Sequence, residues 1–145
     1  RLRKRLDASL LFATVAWSFG LAAAILVTIL GEPGRIVPSA LALGVLGWLT
    51  LTIFGYAMKV AGFLAWQYAR SIDPARTLTP LSAAIPIRLS RVALVTLALG
   101  VAGIALVSAL APSLRDYAAA IYLCGGVLYL TTMLKIVTPY VRRAD

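Results

Sequence analysis

Side chains able to do chemistry are few in this sequence, and their positions matter as much as their types. There is no histidine, one cysteine, two methionines and five carboxylates. Without imidazole, histidine-ligated haem, most zinc and copper sites, Ser-His or Cys-His catalysis and the usual proton relay are all excluded. The carboxylates Asp7, Glu32, Asp73, Asp116 and Asp145 fall at the ends of apolar runs, in connections or at the terminus. Proton-coupled transport needs an ionisable group in mid-membrane, and none is placed there. Cys124, Met58 and Met133 offer sulfur donors but lack partner ligands at the spacing a metal or redox site requires. No phosphate-cradling glycine loop and no nucleophile elbow occurs. The expectation is a chain with no catalytic residue, no metal site and no cofactor.

What remains is a decorated surface on the segment Gly44–Trp66. On a helix turning 100° per residue, Gly44, Leu51, Gly55, Met58 and Gly62 fall in one narrow wedge, with Gly47 at its border. Beside that smooth seam lie Trp48, Thr52, Tyr56, Lys59, Phe63 and Trp66. A second surface of small and aromatic residues, Tyr122, Gly126, Tyr129 and Met133, shares one face farther along the chain. Small residues let helix backbones approach closely in lipid, where van der Waals fit drives association. Gly44, Gly47, Trp48, Gly55, Tyr56, Lys59, Gly62, Trp66, Tyr122, Gly126 and Tyr129 are therefore candidates for contact with partner subunits, lipid or quinone. Packing within the chain's own bundle would use the same seams, and Lys59 reads equally as an anchor snorkelling to the headgroups.

The elements that must position these residues follow from hydropathy. The 145 residues are 61% hydrophobic and 13% charged, against roughly 25% charged in a soluble domain. Mean hydropathy is +0.93. A net charge of +9 would suggest nucleic acid in a soluble protein, but the charges separate apolar runs and read as topology signals. Four spans are predicted at about 6–30, 38–69, 87–110 and 117–137, making an all-α integral membrane four-helix bundle of two consecutive hairpins, one domain over 1–145. The first run is too long for a secretory h-region. The second is longer than a crossing needs, so Lys59–Ala69 must tilt, bend at Gly62 or leave the core, and is a candidate place for a partner contact. The connection 70–86 carries three prolines, with a short interfacial helix expected over Thr79–Ile85.

Basic residues fix the orientation. Arg1, Arg3, Lys4, Arg5, Lys59, Arg70, Arg76, Arg88, Arg91, Lys135, Arg142 and Arg143 fall on one side, against Arg35 and Arg115 on the other. By the positive-inside rule both termini and the 70–86 loop are cytoplasmic, with external turns near 31–38 and 111–116. The two hairpins are loosely alike, since Met58-Lys-Val-Ala and Leu134-Lys-Ile-Val stand near the inner ends of helices two and four.

A small multidrug-resistance-type exporter also has four short helices, but it depends on a glutamate in helix one, where this chain reads Ala13-Thr-Val-Ala-Trp17. Gly47-Trp-Leu-Thr-Leu-Thr-Ile-Phe-Gly55, Met58-Lys-Val60 and Phe63-Leu-Ala-Trp66 together resemble a motif in the C-terminal helices of bacterial polytopic membrane proteins similar to haem-copper oxidase subunit I. Tyr56 stands where those proteins often carry histidine, and Gly62 where they carry proline. The resemblance implies a subunit, or subunit remnant, of a respiratory or other electron-transfer assembly that has lost any haem or metal role. The sequence thus leads to a non-catalytic accessory subunit in a bacterial inner membrane. The alternative from another class is a small homo-oligomeric transporter or lipid-handling protein.

Overall fold

Four long stretches of apolar side chains have no water-soluble way to hide, and each closes its backbone hydrogen bonds internally as a helix. The computed structural model describes residues 8–30, 33–72 and 85–141. Within them the chain forms α1 (Ala8–Leu30), α2 (Pro33–Leu41), a π-helical segment (Ala42–Leu49), α3 (Thr50–Ile72), α4 (Ile87–Leu110), a 3₁₀ turn (Pro112–Leu114) and α5 (Arg115–Val141). Because α2, the π segment and α3 run on without a break, there are four rods, all long and apolar enough to cross a membrane. The interfacial helix expected over Thr79–Ile85 lies outside the described residues, save for Ile85, which is in a bend.

The second rod departs from its expected bounds. It begins at Pro33 instead of Pro38, and Pro38 sits inside it. Proline at a first helical position loses no hydrogen bond, and inside a bundle neighbouring groups can compensate for the one that Pro38 removes. Soon after Pro38 the backbone widens to the i→i+5 pattern. Both the N–H and the hydroxyl of Thr50 donate to the Val45 carbonyl, the latter at 2.9 Å. The rod also runs past Ala69 to Ile72, helical straight through Gly62. The last rod likewise begins earlier and ends later than 117–137.

The most extensive pairing is between α4 and α5. A Cβ on Gly100 would stand 2.6 Å from the Cα and 2.7 Å from the N of Tyr122, and one on Gly125 would stand 2.8 Å from the N of Leu97. Backbone therefore rests on backbone at both points. On the other hairpin, Gly47 receives Phe19 and Gly55 receives Phe12 and the Ser9 carbonyl. The hairpins join around Phe12, Leu51, Met58, Leu97 and Ile136, all almost fully buried. Ser39 donates to the Ala105 carbonyl at 2.7 Å, tying α2 to α4.

These contacts give a common depth scale. Since Gly55 meets Phe12, Lys59 one turn later is level with Ala8 at the start of α1. Tyr129 donates to the Phe54 carbonyl, so α3 and α5 run side by side and Lys135 lies level with Lys59. Gly125 against Leu97 then places Arg88 at that same level. Arg115 stands about 30 Å from Lys135 along α5, the thickness of a hydrocarbon core. The cations thus mark both faces of the membrane band. The span Val37–Ile72 has 36 residues, about 54 Å of helix, so α3 continues well beyond the basic face. There Ala65 and Ala69 pack against Tyr140 of α5, with Trp66 and Val137 beside them.

The glycine contacts are testable directly. Gly100→Leu and Gly125→Leu must separate two backbones, so each should lower stability by about 1–3 kcal/mol or prevent assembly. Gly126, whose added Cβ would meet nothing within 4 Å, should accept alanine neutrally or with a small gain. Thermal unfolding midpoints in mild detergent would rank the three, and equal losses would refute the assigned contacts.

Candidate functional site

The sequence candidates divide into an inner set and an outer set. Gly47, Gly55 and Gly62 are buried, as are Leu51 and Met58 of the same wedge. Phe19, Phe12 and Val101 fill the space beside Gly47 and Gly55. Of the two uses the sequence allows for this seam, the structure gives these glycines to packing within the chain. Gly44 is only half-buried, its nearest neighbour being Ala23 at 3.9 Å. Uniform α-helical turning puts Gly44 in the wedge and Gly47 at its border; the wider π turn advances each residue less and reverses their ranking.

Tyr129 also turns inward, with 4% of its surface exposed. Its ring stacks on Phe54 at 4.0 Å and 8° between planes, while Phe12 approaches at 6.1 Å and 58°. Its hydroxyl donates to the Phe54 carbonyl at 2.9 Å. A buried phenol needs such a partner. Tyr122 is half-buried, its hydroxyl beside Thr50. Gly126 is half-buried next to open space. The four residues predicted to share one face of α5 therefore do not form one free surface. Tyr129 is held by α3, and Cys124 points outward from α5, away from the buried Met58.

The outer set forms a continuous strip. Trp48, Tyr56 and Lys59 are exposed and Thr52 is half-exposed, all along one side of the second rod where it meets α1. At the level of Lys59, a pocket of about 70 Å³ is lined by Ser9, Leu10, Ala13, Thr52, Gly55, Tyr56 and Lys59. Higher on the same seam, a recess of about 360 Å³ is lined by Trp17, Gly20, Leu21, Ala24 and Trp48. Its two indoles approach to 6.2 Å. The Thr52 hydroxyl is turned back to the Trp48 carbonyl at 2.6 Å. A third hollow, of about 400 Å³, opens between α2 and α4 near the outer face and includes Arg115. Sequence reasoning found Trp48, Tyr56 and Lys59 but missed Ser9, Trp17 and Gly20. Periodicity in one helix gives no sign of which residues of another will face it.

Trp66 lies beyond the basic face, half-buried against the Ala65–Tyr140 cluster, with the Arg70 guanidinium 5.2 Å above its ring and Phe63 at 6.4 Å. That cation–π contact belongs to the headgroup region rather than to a pocket. Among the described residues, no group of three or more His, Cys, Asp or Glu side chains could hold a metal.

The Tyr129 contacts separate packing from hydrogen bonding. Tyr129→Phe keeps the stack and should cost about 0.6 kcal/mol, whereas Tyr129→Ala empties the junction of the hairpins and should cost about 3–5 kcal/mol. Unfolding in detergent would distinguish them, and equal costs would assign the stability to the hydroxyl instead.

Comparison of the chain with protein-family models, with curated proteins and with solved structures found no match.

Proposed function

We propose that this chain is a non-catalytic accessory or structural transmembrane subunit of a larger membrane complex in a bacterial inner membrane. The observation that carries the reading is the solid interior. Phe12, Leu51, Met58, Leu97, Val101 and Ile136 fill the junction of the hairpins with under 2% exposure each. Among the described residues, the buried side chains with polar atoms are Ser9, Ser39, Ser90, Thr132 and the phenols of Tyr129 and Tyr140, and none is a carboxylate or a basic group. The Ser90 and Thr132 hydroxyls are turned back to carbonyls of their own chain, Pro86 at 3.1 Å and Leu128 at 2.8 Å. A bundle of this kind offers its outer faces to others and keeps its inside for stability.

The respiratory or other electron-transfer assignment rests on the resemblance at Gly47–Trp66 alone. Within that motif the structure separates two roles: Gly47, Gly55 and Met58 build the chain's own core, while Trp48, Tyr56 and Lys59 face outward. An accessory subunit of this design would present the second set. For the homo-oligomeric transporter alternative, any passage would have to form between copies, since the middle of one copy is closed by Phe12, Leu51 and Leu97.

Extraction in a mild detergent tests the proposal. Other membrane subunits should accompany the chain at fixed stoichiometry, and Trp48→Ala or Tyr56→Ala should loosen them without unfolding the bundle. A monodisperse particle of this chain alone, supporting substrate flux in liposomes, would replace the accessory reading with the transporter.

A further inference from the structure

Of the three hollows on the bundle, the one between α2 and α4 pairs an apolar wall with two polar side chains that no other described residue engages. Leu41, Val45 and Leu46 of the second rod and Ile104 of α4 form the wall, and Ser108 and Arg115 stand beside it. Helix register puts the polar pair at one end. Ser39 bonds to the Ala105 carbonyl, so Leu46, two turns inward from Ser39, lies about 10 Å deeper than Ala105. A Cβ on Gly103 would stand 3.3 Å from that of Ala118, so Arg115, one turn before Ala118, comes within a turn of the level of Ser108. The hollow is therefore polar at the face of the membrane band opposite Lys135 and apolar below it.

We propose that this hollow binds one anionic diacyl phospholipid of the leaflet opposite the basic face. The Arg115 guanidinium and the Ser108 hydroxyl donate to its phosphate, and an acyl chain lies along Leu41, Val45 and Leu46.

Charge complementarity selects this occupant. Arg115 is exposed and makes no ion pair or hydrogen bond among the described residues. Asp116 follows it directly, but successive helical residues point about 100° apart, and the two are not paired. A guanidinium fork matches the oxygens of a phosphate. Ser108 carries a second, independent sign. The other hydroxyls of α4, those of Ser90 and Thr96, are turned back to carbonyls four residues earlier, whereas that of Ser108 makes no hydrogen bond among the described residues. A hydroxyl left unspent beside hydrocarbon is costly unless a polar group meets it. The wall includes Val45 and Leu46 of the π-helical segment, a backbone form often found at functional sites. A neutral quinone would leave the guanidinium without an anionic counterpart, and inorganic phosphate would leave the wall uncovered. The site stands independently of the accessory-subunit reading.

The full chain, reconstituted in nanodiscs of equal phosphatidylglycerol and phosphatidylcholine and released into mild detergent for native mass spectrometry, provides the test. The wild type should retain one phosphatidylglycerol. Arg115→Gln should reduce that retention about fivefold, and Ser108→Ala should reduce it less. Val45→Trp keeps every charge but fills the hollow from a half-exposed position, and should reduce retention as far as Arg115→Gln does. Lys135→Gln, at the other face, should leave it unchanged. Full retention in Val45→Trp, or equal loss from Lys135→Gln, would overturn the site in favour of general surface attraction. Equal retention of phosphatidylcholine, displacement of the lipid by inorganic phosphate, or a lipid-free dimer of the chain would overturn it as well. A measurement without variants uses phosphatidylglycerol with a photoreactive acyl chain. It should label the stretch Leu41–Leu46 and Ile104, and labelling confined to other helices would refute the proposal.

Discussion

Where Gly100 meets the backbone of Tyr122 and Gly125 meets that of Leu97, α4 and α5 come closer than any pair of side chains would permit. In lipid there is little hydrophobic gain in bringing two apolar helices together, so close fit must supply the association. These two contacts fix the register of the hairpin. That register delivers Tyr129 to Phe54, where a stacked ring and a hydrogen bond to a carbonyl couple α5 to α3. Phe12 completes the junction and brings in α1 against Gly55. The order of dependence runs from glycine to tyrosine to phenylalanine, each step setting the level of the next helix.

One consequence is that charge and depth agree across helices that are far apart in sequence. Lys59, Arg88 and Lys135 reach a common level through contacts made by uncharged residues. Arg115 marks the other face about 30 Å away, matching the hydrocarbon thickness. The excess length of the second rod extends past the basic face and is stabilised there by Ala65 and Ala69 against Tyr140. Its small residues serve this intramolecular contact, while Phe63, Leu64 and Tyr68 remain exposed.

The division of labour within Gly44–Trp66 has the same origin. A helix has one circumference, and the bundle takes the wedge of Leu51, Gly55, Met58 and Gly62 for itself. What the bundle leaves is the neighbouring strip of Trp48, Tyr56 and Lys59, joined by Ser9, Trp17 and Gly20 from α1. The strip is apolar along its middle and polar at its basic end, a profile that matches the step from hydrocarbon to headgroup in a lipid leaflet.

Hydropathy and charge are properties of the chain itself, so the sequence alone determined four membrane-length helices, their alternating direction and the basic side. It also placed Leu51, Gly55, Met58 and Gly62 on one face, because an α-helix has a fixed period. It could not decide whether that face meets another subunit or the same chain, since a smooth glycine seam suits either. Only the tertiary structure turned it onto α1, where Phe12 has the size and level to fill it. The π segment was equally hidden, because its wider turn arises where the rod passes Pro38 and packs on Phe19, and no local composition marks it. Tyr129 and Tyr122 are the same residue type two turns apart on one helix, yet one is buried and the other half-exposed. The difference comes from Phe54, a residue on another helix, and that is information only packing can supply.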